Sequence, residues 1–172
     1  MHRHSRRMVR IGLLSDTHGF LDPSLLPILE EVDEIWHAGD IGNRNLLDQL
    51  KKMNKILRAV YGNIDGHDIR IESSEDLAWK VEGMKVFMTH IGGYPGHYTA
   101  RVKKILLDHK PDIYVCGHSH ILKVIYDKQL NLLHINPGAA GKEGFQNVRT
   151  MVRFVIDQGR VKDLAIVEIG AR

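Results

Sequence analysis

Seven residues in this chain have the types and spacing to hold metal ions. Asp16 and His18 form one i, i+2 pair, His118 and His120 another, and Asp40, Asn63 and His90 stand singly between them. Successive groups lie 23 to 28 residues apart, the length of a strand, a connection and the next strand. Imidazole and carboxylate suit zinc, manganese, iron or nickel. The one cysteine, Cys116, offers no thiolate set to divert that choice. Seven ligands exceed the four of a tetrahedral ion but suit two ions sharing a carboxylate. In extended chain, residues i and i+2 point the same way, so each pair is expected to supply two ligands from one strand end. Asn63 is a neutral, weak ligand, and Gly62 before it predicts a tight turn that holds the amide oxygen in place.

The elements that must position these groups follow from hydrophobic pattern. Residues 9–15 read as a buried strand and 34–38 and 56–61 as a second and a third, and each ends just before a candidate ligand. Between them, residues 23–31 read as a helix opened by Asp22 as cap with Pro23 at its first position. Residues 45–53 form a second helix with Leu46, Leu47 and Leu50 on one stripe. Residues 77–81 and 85–89 predict a hairpin, 98–109 a helix stopped by Pro111, and 113–116 another buried strand. Runs at 122–126, 132–135, 151–156 and 164–169 make the remainder all-β. A βαβαβ first half and a strand-rich second half predict two packed sheets flanked by helices, an α/β sandwich. In such sheets the carboxyl ends of parallel strands converge on one rim, where ligands bind.

Five short motifs in order resemble the calcineurin-like metallophosphoesterases: Asp16-Thr17-His18-Gly19, Gly39-Asp40, Gly62-Asn63-Ile64-Asp65, the isolated His90, and Gly117-His118-Ser119-His120. Small size, the Gly-Asn-x-Asp motif and the Asn136-Pro137-Gly138 turn are most similar to the YfcE-like phosphodiesterases. The resemblance implies a four-layer αββα sandwich of two mixed sheets, with residues 9–172 as one domain after a basic leader at 1–8. It implies one metal on Asp16, His18 and His120, a second on Asn63, His90 and His118, and Asp40 bridging. A hydroxide shared by two divalent ions, manganese expected and nickel, zinc or iron the alternatives, would attack a phosphodiester. Many family members carry a histidine after the Gly-Asn pair that protonates the leaving group; here Ile64 stands there and cannot. That departure favours diesters with good leaving groups over general phosphomonoesters. The alternatives are a phosphomonoesterase or nucleotide phosphatase on the same metals, or a metal-binding scaffold without catalysis. A retromer scaffold subunit shares the fold but lacks several ligands, whereas all seven are present here.

Other residues are weighed beside these. His97, in the glycine-rich stretch after His90, is a candidate replacement acid. His37, three residues before Asp40, is a candidate partner for a ligand. Asn43 and Arg44 open the helix after Asp40 and are candidates for a substrate phosphate. Cys116, Trp36 and Trp79 fall inside strands and read as core.

The composition, 172 residues with 43% hydrophobic and 26% charged, is that of a folded globular chain and argues against disorder. No apolar run approaches the ~20 residues of a membrane helix, and the basic N-terminus runs too soon into Asp16 to be a secretory signal. A cytoplasmic location with no membrane partner is expected. Arg3, Arg6, Arg7 and Arg10 give a net charge of +3 much of its excess and leave nucleic acid as a weaker partner. A small diester or nucleotide is favoured over a polymer, and a strand edge in the C-terminal half would permit a homodimer.

Overall fold

The computed structural model describes residues 8–172; the basic leader, apart from Met8, lies outside them. Ten strands form two mixed five-stranded sheets. In the first, β1 (Val9–Leu14), β2 (Glu34–His37) and β3 (Ile56–Ala59) run parallel. The long hairpin of β9 (Val148–Asp157) and β10 (Arg160–Ala171) adds antiparallel on the other side of β1, giving the order β10-β9-β1-β2-β3. The second sheet has the order β4-β5-β6-β8-β7, from β4 (Asp76–Val81), β5 (Met84–Thr89), β6 (Ile113–Val115), β7 (Lys123–Asp127) and β8 (Leu132–Asn136). There β5, β6 and β8 are parallel, and β4 and β7 are antiparallel edges.

Alternation along each strand assigns the layers. Ile11, Leu13, Trp36, Val86, Met88, Val115, Ile135, Val152 and Phe154 meet between the sheets. Trp36 packs edge-to-face on Trp79 at 4.9 Å and Phe154 at 5.5 Å, which puts Trp36 in the core and the half-buried Trp79 against it. Leu14 and Ile35, on the opposite face, pack under α1 (Leu26–Glu31) and under the Leu46, Leu47 and Leu50 stripe of α2 (Arg44–Lys51). A four-residue helix, α3 (His67–Arg70), adds Ile69 to the same cluster. Phe87, Tyr114 and Cys116 cover the second sheet's outer face beneath Val102 and Leu106 of α4 (Ala100–His109). The order helix, sheet, sheet, helix is the αββα sandwich.

Side-chain caps fix the helix starts. Asp22 accepts from Ser24 N–H at 2.9 Å, although Pro23–Leu25 opens as a tighter 3-10 turn before α1. Thr99 caps α4 through Val102 N–H at 3.3 Å. The hairpin strands β9 and β10 outrun the predicted runs at 151–156 and 164–169, because backbone pairing continues where the side chains turn polar.

Candidate metal centre

The loops leaving β1, β2, β3, β5 and β6 carry all seven candidate ligands to one rim, where His118 N–H donates to Asp16 Oδ2 at 3.1 Å across the two sheets and further bonds join the loops within each. Asp16 N–H donates to Gly39 O at 2.9 Å, His18 N–H to Asp40 O at 3.0 Å, and Gly117 N–H to His90 O at 3.0 Å. Asp65, 3% exposed, accepts from Ile41 and Gly42 N–H on one side and Gly62 N–H on the other. That carboxylate of the Gly-Asn-x-Asp motif therefore locks the Asp40 loop to the Asn63 loop. Asn136 donates to Gly117 O and Ser119 Oγ, fixing the His118–His120 turn.

The seven side chains form two adjacent lobes. In one, His120 Nε2 lies 3.1 Å and His18 Nε2 3.9 Å from Asp16 Oδ1. In the other, Asn63 Oδ1 is 3.1 Å from both His90 Nε2 and His118 Nδ1. Between them, Asp40 Oδ2 stands 3.5 Å from His18 Nε2 and 3.2 Å from His90 Nε2. Asp40 Oδ1 accepts from Ile64 N–H at 3.0 Å, which orients the carboxylate.

The chemistry of this donor set fits divalent cations. His90 donates Nδ1–H to Ala38 O at 2.7 Å, so its Nε2 lone pair faces the oxygens of Asp40 and Asn63. His120 likewise donates Nδ1–H to Gln146 Oε1 at 2.9 Å, leaving Nε2 aimed at Asp16 Oδ1. Acceptors turned on one another repel until a cation stands between them. Asp16 Oδ1 and His18 Nε2 are moreover buried with no hydrogen-bond partner among the described residues, a costly state for polar atoms.

Without a cation, the groups share protons. Burial opposes the charge on Asp40, but the hydrogen bond and field of His90, the Ile64 N–H and His18 outweigh it and hold the carboxyl below its ordinary range. Burial also depresses His90, and Asp40 with Asp16 more than restores its basicity. Asp16 raises His120, whereas burial and the neighbouring His90 lower His118.

The backbone of the site departs from the extended geometry expected for the i, i+2 pairs. Asp16, His18, Asp40, His118 and His120 all have positive φ, between 46° and 71°. Both pairs still serve one centre, but from left-handed turns. Such turns cost a non-glycine residue about 1–3 kcal/mol and persist where surrounding structure imposes them.

The remaining sequence candidates are placed differently. His97 is exposed, and its ring lies against Tyr94 rather than among the seven. Asn43 spends its side chain capping Leu46 N–H at 2.9 Å and reaching Gly19 O. Arg44 pairs with Asp48 and Glu72. The phosphate role expected of Asn43 and Arg44 therefore meets groups already committed to helix and surface contacts. Cys116 is core, its thiol pushed up to about 12 by burial.

His37 acts on loops rather than on a ligand side chain. Its Nδ1 accepts from Gly39 N–H at 3.1 Å, so the proton sits on Nε2, which faces Thr17 Oγ1 at 3.0 Å while that hydroxyl donates to Ile41 O. Gln146 was not foreseen from sequence. Its amide donates to Gly141 O and Glu143 O, which turns its oxygen to His120.

Burial pushes His37, and separately His134 of β8, down to about 4. Ordinary histidine titrates near 6.5, so between these values the unfolded chain binds more protons than the folded one. Stability therefore falls as pH drops from about 6.5 toward 4, by about 2–3 kcal/mol for each group. Urea unfolding at pH 7 and pH 4.5 is expected to show this loss, and His134→Phe to shrink it by the share of one histidine. An unchanged pH dependence in that variant would contradict the assignment.

Among the described residues, no helix is long and apolar enough to cross a membrane. Residues 9–159 match the calcineurin-like phosphoesterase superfamily domain. A Methanocaldococcus jannaschii protein named as a phosphodiesterase is 27% identical over 146 residues, 76% of this chain and 83% of that relative. A Methanothermobacter thermautotrophicus protein, named "Probable metallophosphoesterase", is 26% identical over 94% of this chain and 93% of its own length. The crystal structure of Vps29 from Chaetomium thermophilum, only 13% identical, superimposes with a TM-score of 0.72 over 95% of this chain and all of that one, a likeness of fold. With the family domain matched across nearly the whole chain, this protein belongs to the calcineurin-like phosphoesterase superfamily.

Proposed function

We propose that the protein hydrolyses phosphodiesters with two divalent ions held side by side on the rim. The observation that carries this reading is the position of Asp40, whose one oxygen lies within 3.5 Å of a histidine from each lobe. Asp16, His18 and His120 would hold one ion, Asn63, His90 and His118 the other, and Asp40 both. Such ions supply Lewis acidity, neutralising phosphoryl oxygens and acidifying water; manganese is the expected metal, with nickel, zinc and iron as alternatives. The chain's own part is to keep its ligands deprotonated and aimed. Asp40 is held ionised, while Ala38 O and Gln146 Oε1 set the tautomers of His90 and His120.

Ile64 governs the choice of ester. Its backbone orients Asp40, but its side chain, 46% exposed beside Asn63, has no proton to give a departing alkoxide. A general acid is worth ~10²–10⁴-fold, so esters with good leaving groups should be cleaved preferentially. The test compares a bis-aryl diester with the matching aryl monoester and an alkyl ester in wild type and Ile64→His. Wild type should favour the aryl diester, and the variant should gain at least ~10-fold on poor leaving groups relative to good ones. Equal turnover of diester and monoester by the wild type would count against the diesterase reading.

A further inference from the structure

A cavity of about 330 Å³ opens beside His118 on the outer face of the second sheet, beneath the loop that follows β5. Its volume falls at the lower end of the ~300–1,000 Å³ typical of small-molecule sites, room for one ring system rather than a polymer. Tyr94 and Ile121 line its walls, with Lys123 Nζ 4.0 Å from the Tyr94 ring. His134 and the exposed Ser119 bring polar groups to its lining. His134 is 1% exposed, yet its Nδ1 has no hydrogen bond. Ser119 Oγ accepts from Asn136 Nδ2 at 3.0 Å and Ile121 N–H at 3.2 Å, and its own proton goes to no acceptor among the described residues.

The His134 imidazole lines the cavity and, among the described residues, its Nδ1 is left unpaired, a cost of about 1–3 kcal/mol. His118 is shared between this cavity and the candidate metal centre, so any occupant lies beside that centre. We propose that the cavity is the subsite for one ester group of the substrate, a flat aromatic ring of aryl or nucleobase size carrying a polar atom that bonds the His134 imidazole. This inference rests on the phosphodiesterase reading for the occupant's identity, but not for its binding. Tyr94 and Ile121 supply apolar contact to the ring faces, and Ser119 O–H a second polar contact toward the phosphoryl side. Burial keeps His134 neutral at pH 7, so it recognises the group by a hydrogen bond rather than by charge.

The test uses ¹⁵N-labelled, metal-free protein titrated with phenol, a ring bearing one polar group. Amide shifts are expected to cluster at Gly92, Gly93, Tyr94 and Ile121, with saturable binding. His134→Phe keeps the ring shape and removes the bond, so affinity should fall about 3–10-fold, the worth of one hydrogen bond. Tyr94→Ala, at the exposed mouth, should weaken binding without disturbing the core. Shifts that fall elsewhere, or affinity unchanged in both variants, overturn the subsite. Because neither metal nor turnover enters this readout, a protein that binds the ring but hydrolyses nothing fails the proposed function alone. One that hydrolyses diesters without binding the ring here fails the subsite alone.

Discussion

Asp40→Asn should abolish most diester hydrolysis while leaving the fold largely intact. The substitution keeps the shape and an oxygen for the Ile64 N–H, but removes the charge that faces His18 and His90. Loss of several kcal/mol of charge stabilisation corresponds to about 10³-fold or more in kcat/KM. Ion binding should fall in both lobes together, because the carboxylate faces a histidine of each. Stability should change by no more than about 2 kcal/mol, since Asp40 is held by backbone contacts that the amide preserves. A purely structural metal site predicts the reverse pattern, a large drop in melting temperature and no turnover to lose. Thermal unfolding measured beside kcat/KM separates the two.

Gly62→Ala should damage the same carboxylate sterically. A Cβ at Gly62 would stand 2.0 Å from Asp40 Oδ1 and 2.4 Å from Asp40 N, distances no contact tolerates. Neither side can yield easily, because Gly62 N–H is tied to Asp65 and the Asp40 backbone to His18 N–H. Overpacking of this kind costs about 1–3 kcal/mol or more, and a 1 Å displacement at a reacting centre about 10²-fold in rate. Gly66→Ala, four residues on, is the control: its Cβ would meet only Asp68 Oδ1, at 3.4 Å. Urea denaturation and diester turnover should both distinguish the pair. Wild-type activity in Gly62→Ala would mean that Asp40 is not where catalysis depends on it.

Much of this site could be read from sequence because its parts coincide with strand ends. Asp16, Asp40, Asn63, His90 and His118 each follow a strand, buried in every case but the edge strand β3, and parallel strands must deliver their carboxyl ends to one rim. The sandwich was legible for the same reason, since β1, β2 and β6 are dense in β-branched and apolar residues. What escaped reading was set by tertiary contact. Gln146 sits in a turn-rich segment with no periodicity, and only its two carbonyl partners and His120 give it a role. The extended geometry expected for Asp16/His18 and His118/His120 failed because cross-loop hydrogen bonds impose positive φ on residues that prefer otherwise. Asn43 and Arg44 looked free for phosphate because Gly19, Asp48 and Glu72 reach them only after folding. His134 carried no motif at all; its significance comes from an unpaired nitrogen beside a cavity.

If the two lobes work together on a diester, both must be filled before turnover begins. The most direct test is turnover of a bis-aryl phosphodiester by chelator-stripped protein as manganese is added in fractions of an equivalent, at protein concentrations well above the dissociation constants. The stripped protein should be inactive, and activity should rise to a plateau reached at two ions per chain. Full activity at one ion, or turnover that persists without any, would contradict the shared-carboxylate site on which this account rests.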